Sequence, residues 1–430
     1  MEFGPAYIYH NVDLPFLPCL VEMEQTGVLI DTGQLHTLSL KIEERMVTLA
    51  DTLYHINGSE FNLKSNTQLA TFVFDTLGLP EHKKHGRSTK REALEPLKTQ
   101  SPIISILSEW KRLQKLKSTY VDALPKMLDS ESRVHTSFNN TVVETGRLSS
   151  SRPNLQNIPR RTDESTPPFV VDIIKGIRKA FIAPDNHLLL AIDQAQVEFK
   201  IMACLANDDK SISAIAAGRD IHSDIAATYL GVDYDDFYRR YKKEEDPQAI
   251  KTRDIIKNVV YGAAYGQTEV GLGEFLVKNG LDPKQATTLQ LAILGTRPKI
   301  VEWIDQTKWY VLNHGYVQSY FGRKMLYLDA FSSKRWLREA ACREAVNAII
   351  QGTAADIFKI AMTRTWQEKE RRNLRSKLIL AVHDEEVFEC PEEEVEMVQE
   401  FALQIGMAVV DWPIPLKLSA GTGKTWSECK

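Results

Sequence analysis

The sequence predicts an α+β fold in which long helical stretches surround a small sheet. Three observations carry this: apolar residues at helical spacing through much of the chain, two short all-apolar runs that each end in an acid, and a length beyond one ordinary core. With 430 residues there is material for two or three subdomains.

Beyond Asp31-Thr32, residues Leu35, Leu38, Ile42, Leu49, Leu53 and Ile56 recur at spacings near three and four until Asn57-Gly58. This predicts a long amphipathic helix with a cap at each end. Ser65-Asn66 opens a second, with Leu69, Phe72, Val73 and Leu77 before Gly78-Leu79-Pro80. A third is expected from Pro102 to about Met127, with Ile103, Ile106, Trp110, Leu113, Leu116 and Tyr120 on one side. Between and along these helices lie Lys83, Lys84, Arg87, Lys90, Arg91, Lys98, Lys111, Arg112, Lys115 and Lys117, opposed by Glu92, Glu95 and Glu109. Such a run suits a solvated helix face, or an arm that grips phosphates.

Residues 145–161 are polar and irregular, with Arg147, Arg152, Arg160 and Arg161 among Ser, Asn and Gln. That predicts a loop rich in hydrogen-bond donors. Leu188 to Ile192 reads as a buried strand ending at Asp193, and Leu378 to Cys390 reads as a hairpin bent at "HDEE". Composition is ordinary at 43% hydrophobic and 26% charged, and a net charge of −4 gives no overall attraction to a polyanion. Any nucleic-acid surface must be local. Five cysteines without a paired spacing suit free thiols in an intracellular, reducing compartment, and no apolar run is long enough for a membrane span.

Asp193 and Asp384 share a setting, each being a charge at the end of an apolar strand. If those strands are neighbours the carboxylates converge, at a cost on the order of 4 kcal/mol for a close pair. They would then raise a pKa or bind a hard cation such as Mg²⁺. Acidic residues are also common at hairpin bends, which leaves a plain turn as the alternative. Arg253, Lys257, Tyr261 and Tyr265 follow one another at steps of four, so two cations and two rings share one helix stripe. The cations suit a triphosphate and the rings a stacked base, although tyrosines beside valine and alanine also suit a core.

The segments "DQAQVEFKIMACLANDD" from Asp193, "RDIIKNVVYGAAYG" from Arg253 and "AVHDEEVFE" from Ala381 resemble motifs A, B and C of family A DNA polymerases. "TGRLSSSRPNLQNIPRR", "GRDIH", "EAVNAIIQGTAADI" and "KLKSTYVDALPKM" match further blocks, in the family's order, from about residue 7 to the end. The resemblance implies a right-hand polymerase fold: a lead-in over 1–17, a helical thumb over 18–132, an antiparallel palm over 133–205 and 334–430, and helical fingers over 206–333.

It also implies an activity and a set of roles. The chain would be a DNA-directed DNA polymerase, adding dNTPs to a primer end on primer-template DNA as a monomer in a bacterial cytoplasm or encoded by a phage. Asp193 and Asp384 would ligate two Mg²⁺ ions, for which Mn²⁺ can substitute, with the Gln194 backbone carbonyl assisting and Glu385 close by. Arg253, Lys257 and His222 would hold the triphosphate, Lys257 as proton donor to pyrophosphate. Tyr261 would pack on the sugar, Tyr265 would mark the insertion pocket, and Glu198 would exclude a ribose 2′-OH. Arg147, Asn154, Gln156, Asn157, Arg343, Asn347, Gln351 and His383 would track the DNA, with Lys115 and Lys117 on the thumb.

Departures from the family pattern fall at Gln194-Ala195 and Phe199-Lys200, where Tyr-Ser and Leu-Arg are usual. Tyr261 stands where many members have Phe, and its hydroxyl could fill the space of a missing 3′-OH, so dideoxynucleotides should be accepted. The stretch 238–247 lengthens the fingers and has no evident role. No proofreading exonuclease is expected from this chain. Competing readings are a single-subunit RNA polymerase, a two-metal nuclease and a non-catalytic DNA clamp.

Overall fold

A computed structural model describes residues 3–429 apart from 83, 160–165, 196, 265, 266 and 268. Lys83, Arg160, Arg161, Tyr265 and Gly266 therefore lie outside the described residues. The elements that place the site are, in chain order, α1 (Leu17–Thr26), α2 (Thr32–Asn57), α3 (Ile103–Leu116), β1 (His187–Ala195), α4 (Val197–Leu205), α5 (Ile221–Leu230), α6 (Tyr234–Lys242) and α7 (Pro247–Ala264). They continue with α8 (Arg335–Arg371), β2 (Lys377–Val382), β3 (Glu385–Pro391), α9 (Val395–Met407) and β4 (Lys417–Gly423). No helix among the described residues is long and apolar enough to cross a membrane.

The four long strands form one antiparallel sheet in the order β4-β1-β3-β2. β1 is interior, and its consecutive residues Leu189, Leu190, Ala191 and Ile192 are all buried. Successive strand residues point to opposite faces, so both faces are covered and the run is continuously apolar rather than alternating. The acid at its end sits where that cover stops.

Both caps expected for α2 are present. The Asp31 carboxylate accepts from the Gln34 amide at 2.9 Å, and Gly58 adopts φ 78° at the C-terminal end. The third predicted helix is shorter than expected. α3 ends at Leu116, a wide turn over Lys117–Val121 follows, and a 3₁₀ turn over Leu124–Met127 completes the stretch. Pro125 supplies no amide donor, so a continuous helix could not pass it intact.

The basic arm also differs from expectation. Arg87 pairs with Asp75, Lys98 with Glu95 and Lys117 with Asp122 and Ser39. Lys111 donates to the Thr89 carbonyl, and Arg112 to the Thr166 hydroxyl at 3.0 Å. Much of the cationic run therefore holds the arm together. Lys84, Lys90 and Lys115 stay exposed.

α8 is a 37-residue spine, about 55 Å long at 1.5 Å per residue. Ala341, Ala345 and Ala348 pack with Val311 and Val317, while Ile350 and Ile357 join the core of α4, α5 and α7. Phe358 and Met362 join the core that the sheet shares with α2 and α3. Asp356, fully buried, accepts from Ser319 and Arg323, and Arg323 and Lys359 both reach Asp13 of the N-terminal segment. These paired charges lock the spine to its neighbours, since a lone one would be costly at such depth.

Candidate active site

The turn between β2 and β3 consists of His383 and Asp384, with His383 at φ 59°. That left-handed geometry is uncommon outside glycine, and a non-glycine residue there is a frequent mark of a functional turn. Next to it, β1 pairs Asp193 with Glu385, and the Gln194 amide donates to the Asp384 carbonyl at 3.2 Å. The two apolar strands expected to be neighbours, β1 and β2, are not: β3 lies between them, and Asp384 comes beside Asp193 because the turn leads into β3, which pairs with β1. Burial raises the Asp384 carboxyl above the ordinary carboxylate range, and the Asp193 charge adds to the rise.

The bend is less acidic than its sequence. Only Asp384 lies in the turn; Glu385 and Glu386 already belong to β3 and are each 3% exposed. The Glu385 carboxylate accepts from the Trp426 indole at 2.5 Å, and the Arg178 guanidinium lies 3.5 Å over that ring. Burial pushes the Glu386 carboxyl up to about 8, so it is largely protonated at neutral pH.

A cavity of about 50 Å³ opens beside the turn, lined in part by Arg147, Gln194, Glu198, Lys359, His383 and Asp384. Arg147 donates to Glu198 at 2.8 Å, which fixes both side chains at its wall. The buried Gln194 side chain has a carbonyl oxygen with no hydrogen-bond partner. Among the described residues no group of three His, Cys, Asp or Glu side chains is arranged to hold a metal ion. Two carboxylates meeting at strand ends, with backbone oxygens beside them, nonetheless suit a hard cation that takes its remaining ligands from a substrate.

On the other side of α4, Phe199 packs its ring 6.0 Å from His222, and His222 lies 5.4 Å from Tyr261 on α7. One short helix thus links the cavity to the cationic stripe. Arg253 binds Asp220 through Nε and Nη2, both at 2.9 Å, while Lys257 is exposed one turn on. Arg253 holds the Asp220 carboxyl down to about 2 against the opposing effect of burial. His222 is fully buried with neither ring nitrogen hydrogen-bonded. Burial, aided by Arg253 and Lys257 and opposed by Asp220, pushes it down to about 4.

The His222 pKa in the folded chain lies below the ordinary 6.5. The stability this permits is present above pH 6.5 and is lost as pH falls towards 4. Between pH 7 and 5 the wild type should lose about 2 kcal/mol that a His222→Leu variant keeps. Urea midpoints of the two proteins at both pH values check this.

The polar loop is anchored to the sheet. Gln156 donates to the Ala381 carbonyl at 3.2 Å, and Asn154 accepts from Ser150 and from the Asn157 amide. Arg343, Asn347 and Gln351 are half-buried on one stripe of α8. Lys200, one of the departures, donates to the Pro415 carbonyl at 3.0 Å and so faces away from the cavity. Sequence reasoning missed Asp220, Tyr241 and Trp426. Only Asp220 carried a signal, as the N-cap two residues before His222.

An antiparallel sheet with paired acids at its edge, a helical arm on one side and a cationic helical module on the other define a right-hand architecture of palm, thumb and fingers. The sequence profile of DNA polymerase family A matches residues 32–428, and the chain belongs to that family. It is 37% identical over 429 residues to a thermostable DNA polymerase I of Thermus filiformis, covering 99% of this chain and 48% of that protein. It is 36% identical over 441 residues to DNA polymerase I of Chloroflexus aurantiacus, covering 100% and 44%. The chain thus spans about half the length of the curated relatives it matches. The solved POL domain of Pol1 from M. smegmatis, in complex with DNA primer-template and dNTP, superposes with a TM-score of 0.87 at 32% identity, covering 98% of this chain and 71% of that one.

Proposed function

We propose that this chain is a template-directed DNA polymerase that extends a primer 3′-OH with dNTPs and releases pyrophosphate. The observation that carries the proposal is the meeting of Asp193, at the end of β1, with Asp384, in the turn that enters the adjoining β3, where the Gln194 amide donates to the Asp384 carbonyl at 3.2 Å. Asp193, Asp384 and the Gln194 backbone carbonyl would hold two Mg²⁺ ions, or Mn²⁺ in their place. Bound there, the ions supply activation of the attacking oxygen and stabilisation of the leaving one.

The remaining roles fall to the chain itself. Arg253 and Lys257 bind the triphosphate, His222 does so only if its fully buried ring is uncovered, and Lys257 gives a proton to the departing pyrophosphate. Tyr261 packs on the sugar. Glu198, held by Arg147, occupies the space a ribose 2′-OH would need. Arg147, Asn154, Gln156, Asn157, Arg343, Asn347, Gln351, His383 and Lys115 contact primer-template DNA; Lys117 does so only if it leaves Asp122. The palm comprises 133–205 and 334–430, the thumb 18–132 and the fingers 206–333, and the protein acts as a monomer.

Primer extension on two templates of different sequence, with Mg²⁺ and dNTPs, tests the proposal. Products complementary to each template are expected. Products independent of template, extension with rNTPs at equal rates, or degradation of the primer without dNTPs would contradict it. Replacing Tyr261 with Phe should reduce dideoxynucleotide incorporation relative to dNTPs by about tenfold, the worth of one hydrogen-bonding hydroxyl. Competition between ddNTP and dNTP on one primer measures the ratio.

A further inference from the structure

The segment 238–247, to which the sequence assigns no role, lies against the cationic stripe. α6 presents Tyr234, Phe237 and Tyr241 on one face at steps of three and four. Phe237 is buried in the same core as α5 and α7, which fixes that face inward, while Arg239 and Lys242 are exposed on the other face. The helix is tied at both ends. Its Tyr234 hydroxyl accepts from the Asp220 amide at 2.9 Å, and Arg240 grips Asp246, just before α7, at 2.6 and 2.9 Å. Tyr234 stacks on Tyr238 at 5.5 Å, and Tyr238 meets Tyr241 at 6.1 Å.

Arg253 is where these contacts converge. The Tyr241 ring lies 4.7 Å beneath its guanidinium, and Asp220 occupies the Nε and Nη2 edge. The remaining edge, Nη1, faces the exposed Asp254 carboxylate at 3.7 Å. One face and one edge are thus held, and the Nη1 edge, paired only loosely with an exposed carboxylate, is the one an incoming oxygen would take. Arginine otherwise carries much rotamer freedom, and a planar group already fixed loses less of it on binding.

We propose that α6 is a brace for nucleotide affinity, in which Tyr241 is a positioning residue that holds Arg253 ready for the triphosphate. The inference rests on the reading of Arg253 as a triphosphate ligand given above. Tyr241 touches no reacting atom. It acts by keeping the guanidinium plane in place, so it should affect binding of dNTP rather than the chemical step.

The test is single-nucleotide extension of a primer-template by the full chain with Mg²⁺, comparing wild type, Tyr241→Leu, Tyr241→Phe, Arg253→Ala and the double variant Arg253→Ala/Tyr241→Leu. Tyr241→Leu should raise the KM for dNTP by about tenfold, the scale of a partly desolvated cation–π contact, with kcat and affinity for primer-template within about twofold. Tyr241→Phe keeps the ring and should restore KM. The double variant should be no worse than Arg253→Ala, because Tyr241 acts through Arg253. A raised KM in Arg253→Ala with an unchanged KM in Tyr241→Leu overturns the brace alone, as does an additive double variant. An unchanged KM in Arg253→Ala overturns the triphosphate reading and the brace with it. Should Tyr241→Leu not fold, Tyr241→Met fills the same space without a ring and gives the same comparison.

Discussion

Replacing Asp384 with alanine should lower single-turnover extension by roughly 10³-fold or more, a loss of about 4 kcal/mol of transition-state stabilisation. Binding of primer-template should stay within about threefold, since most of the proposed DNA contacts come from the loop at 147–157 and from α8, and His383 and Lys115 are retained. Asp384 sits in a two-residue turn, partly buried, its carboxyl raised first by that burial and then by Asp193. A plain turn residue would not be placed against a second acid, because like charges brought close are unfavourable in a medium of reduced dielectric. Removing one of them should leave the thermal midpoint in EDTA unchanged or higher. Loss of activity with retained fold and retained DNA binding separates a catalytic carboxylate from a structural one. Extension within tenfold of wild type would exclude the assigned role.

Replacing Lys257 with methionine should lower kcat by roughly 10²-fold or more, the usual worth of a positioned proton donor, with a smaller change in KM for dNTP. Three cationic or imidazole groups are assigned to the triphosphate, and they are not equivalent. His222 is buried and pushed down to about 4, so near neutral pH its ring has no spare proton to give. Arg253 is raised by Asp220 although burial opposes the rise, and a guanidinium does not release its proton. Lys257, exposed on the next turn of α7, is the group left to protonate pyrophosphate. Single-turnover rates at saturating dNTP read the step directly. An unchanged rate, with only KM affected, would reduce Lys257 to a binding charge.

Much of the site was legible because its signals are local. Asp31 and Gly58 bound α2 where caps were expected, and the apolar runs ending at Asp193 and Asp384 became strands of one sheet, separated by β3. The spacing of Arg253, Lys257 and Tyr261 gave one helix. What was not legible depends on partners far away in sequence. Whether Lys117 faces DNA or Asp122, and whether Glu385 faces the cavity or Trp426, is decided by tertiary packing. Glu386 shows the same limit: an acid beside a bend reads as solvated, yet strand pairing with Ala381 and Ile192 carries it into the core. The brace from Tyr241 to Arg253 has no sequence signal, since a ring 12 residues upstream meets the cation only through the turn between α6 and α7.

The central claim is that Asp193 and Asp384 hold divalent ions in common. Crystals grown with primer-template and a non-hydrolysable complementary dNTP, then soaked in Mn²⁺, test it through anomalous scattering. Manganese peaks between the two carboxylates, absent in an Asp193→Asn/Asp384→Asn variant, are the predicted result. Manganese bound elsewhere, or bound undiminished in that variant, would contradict it.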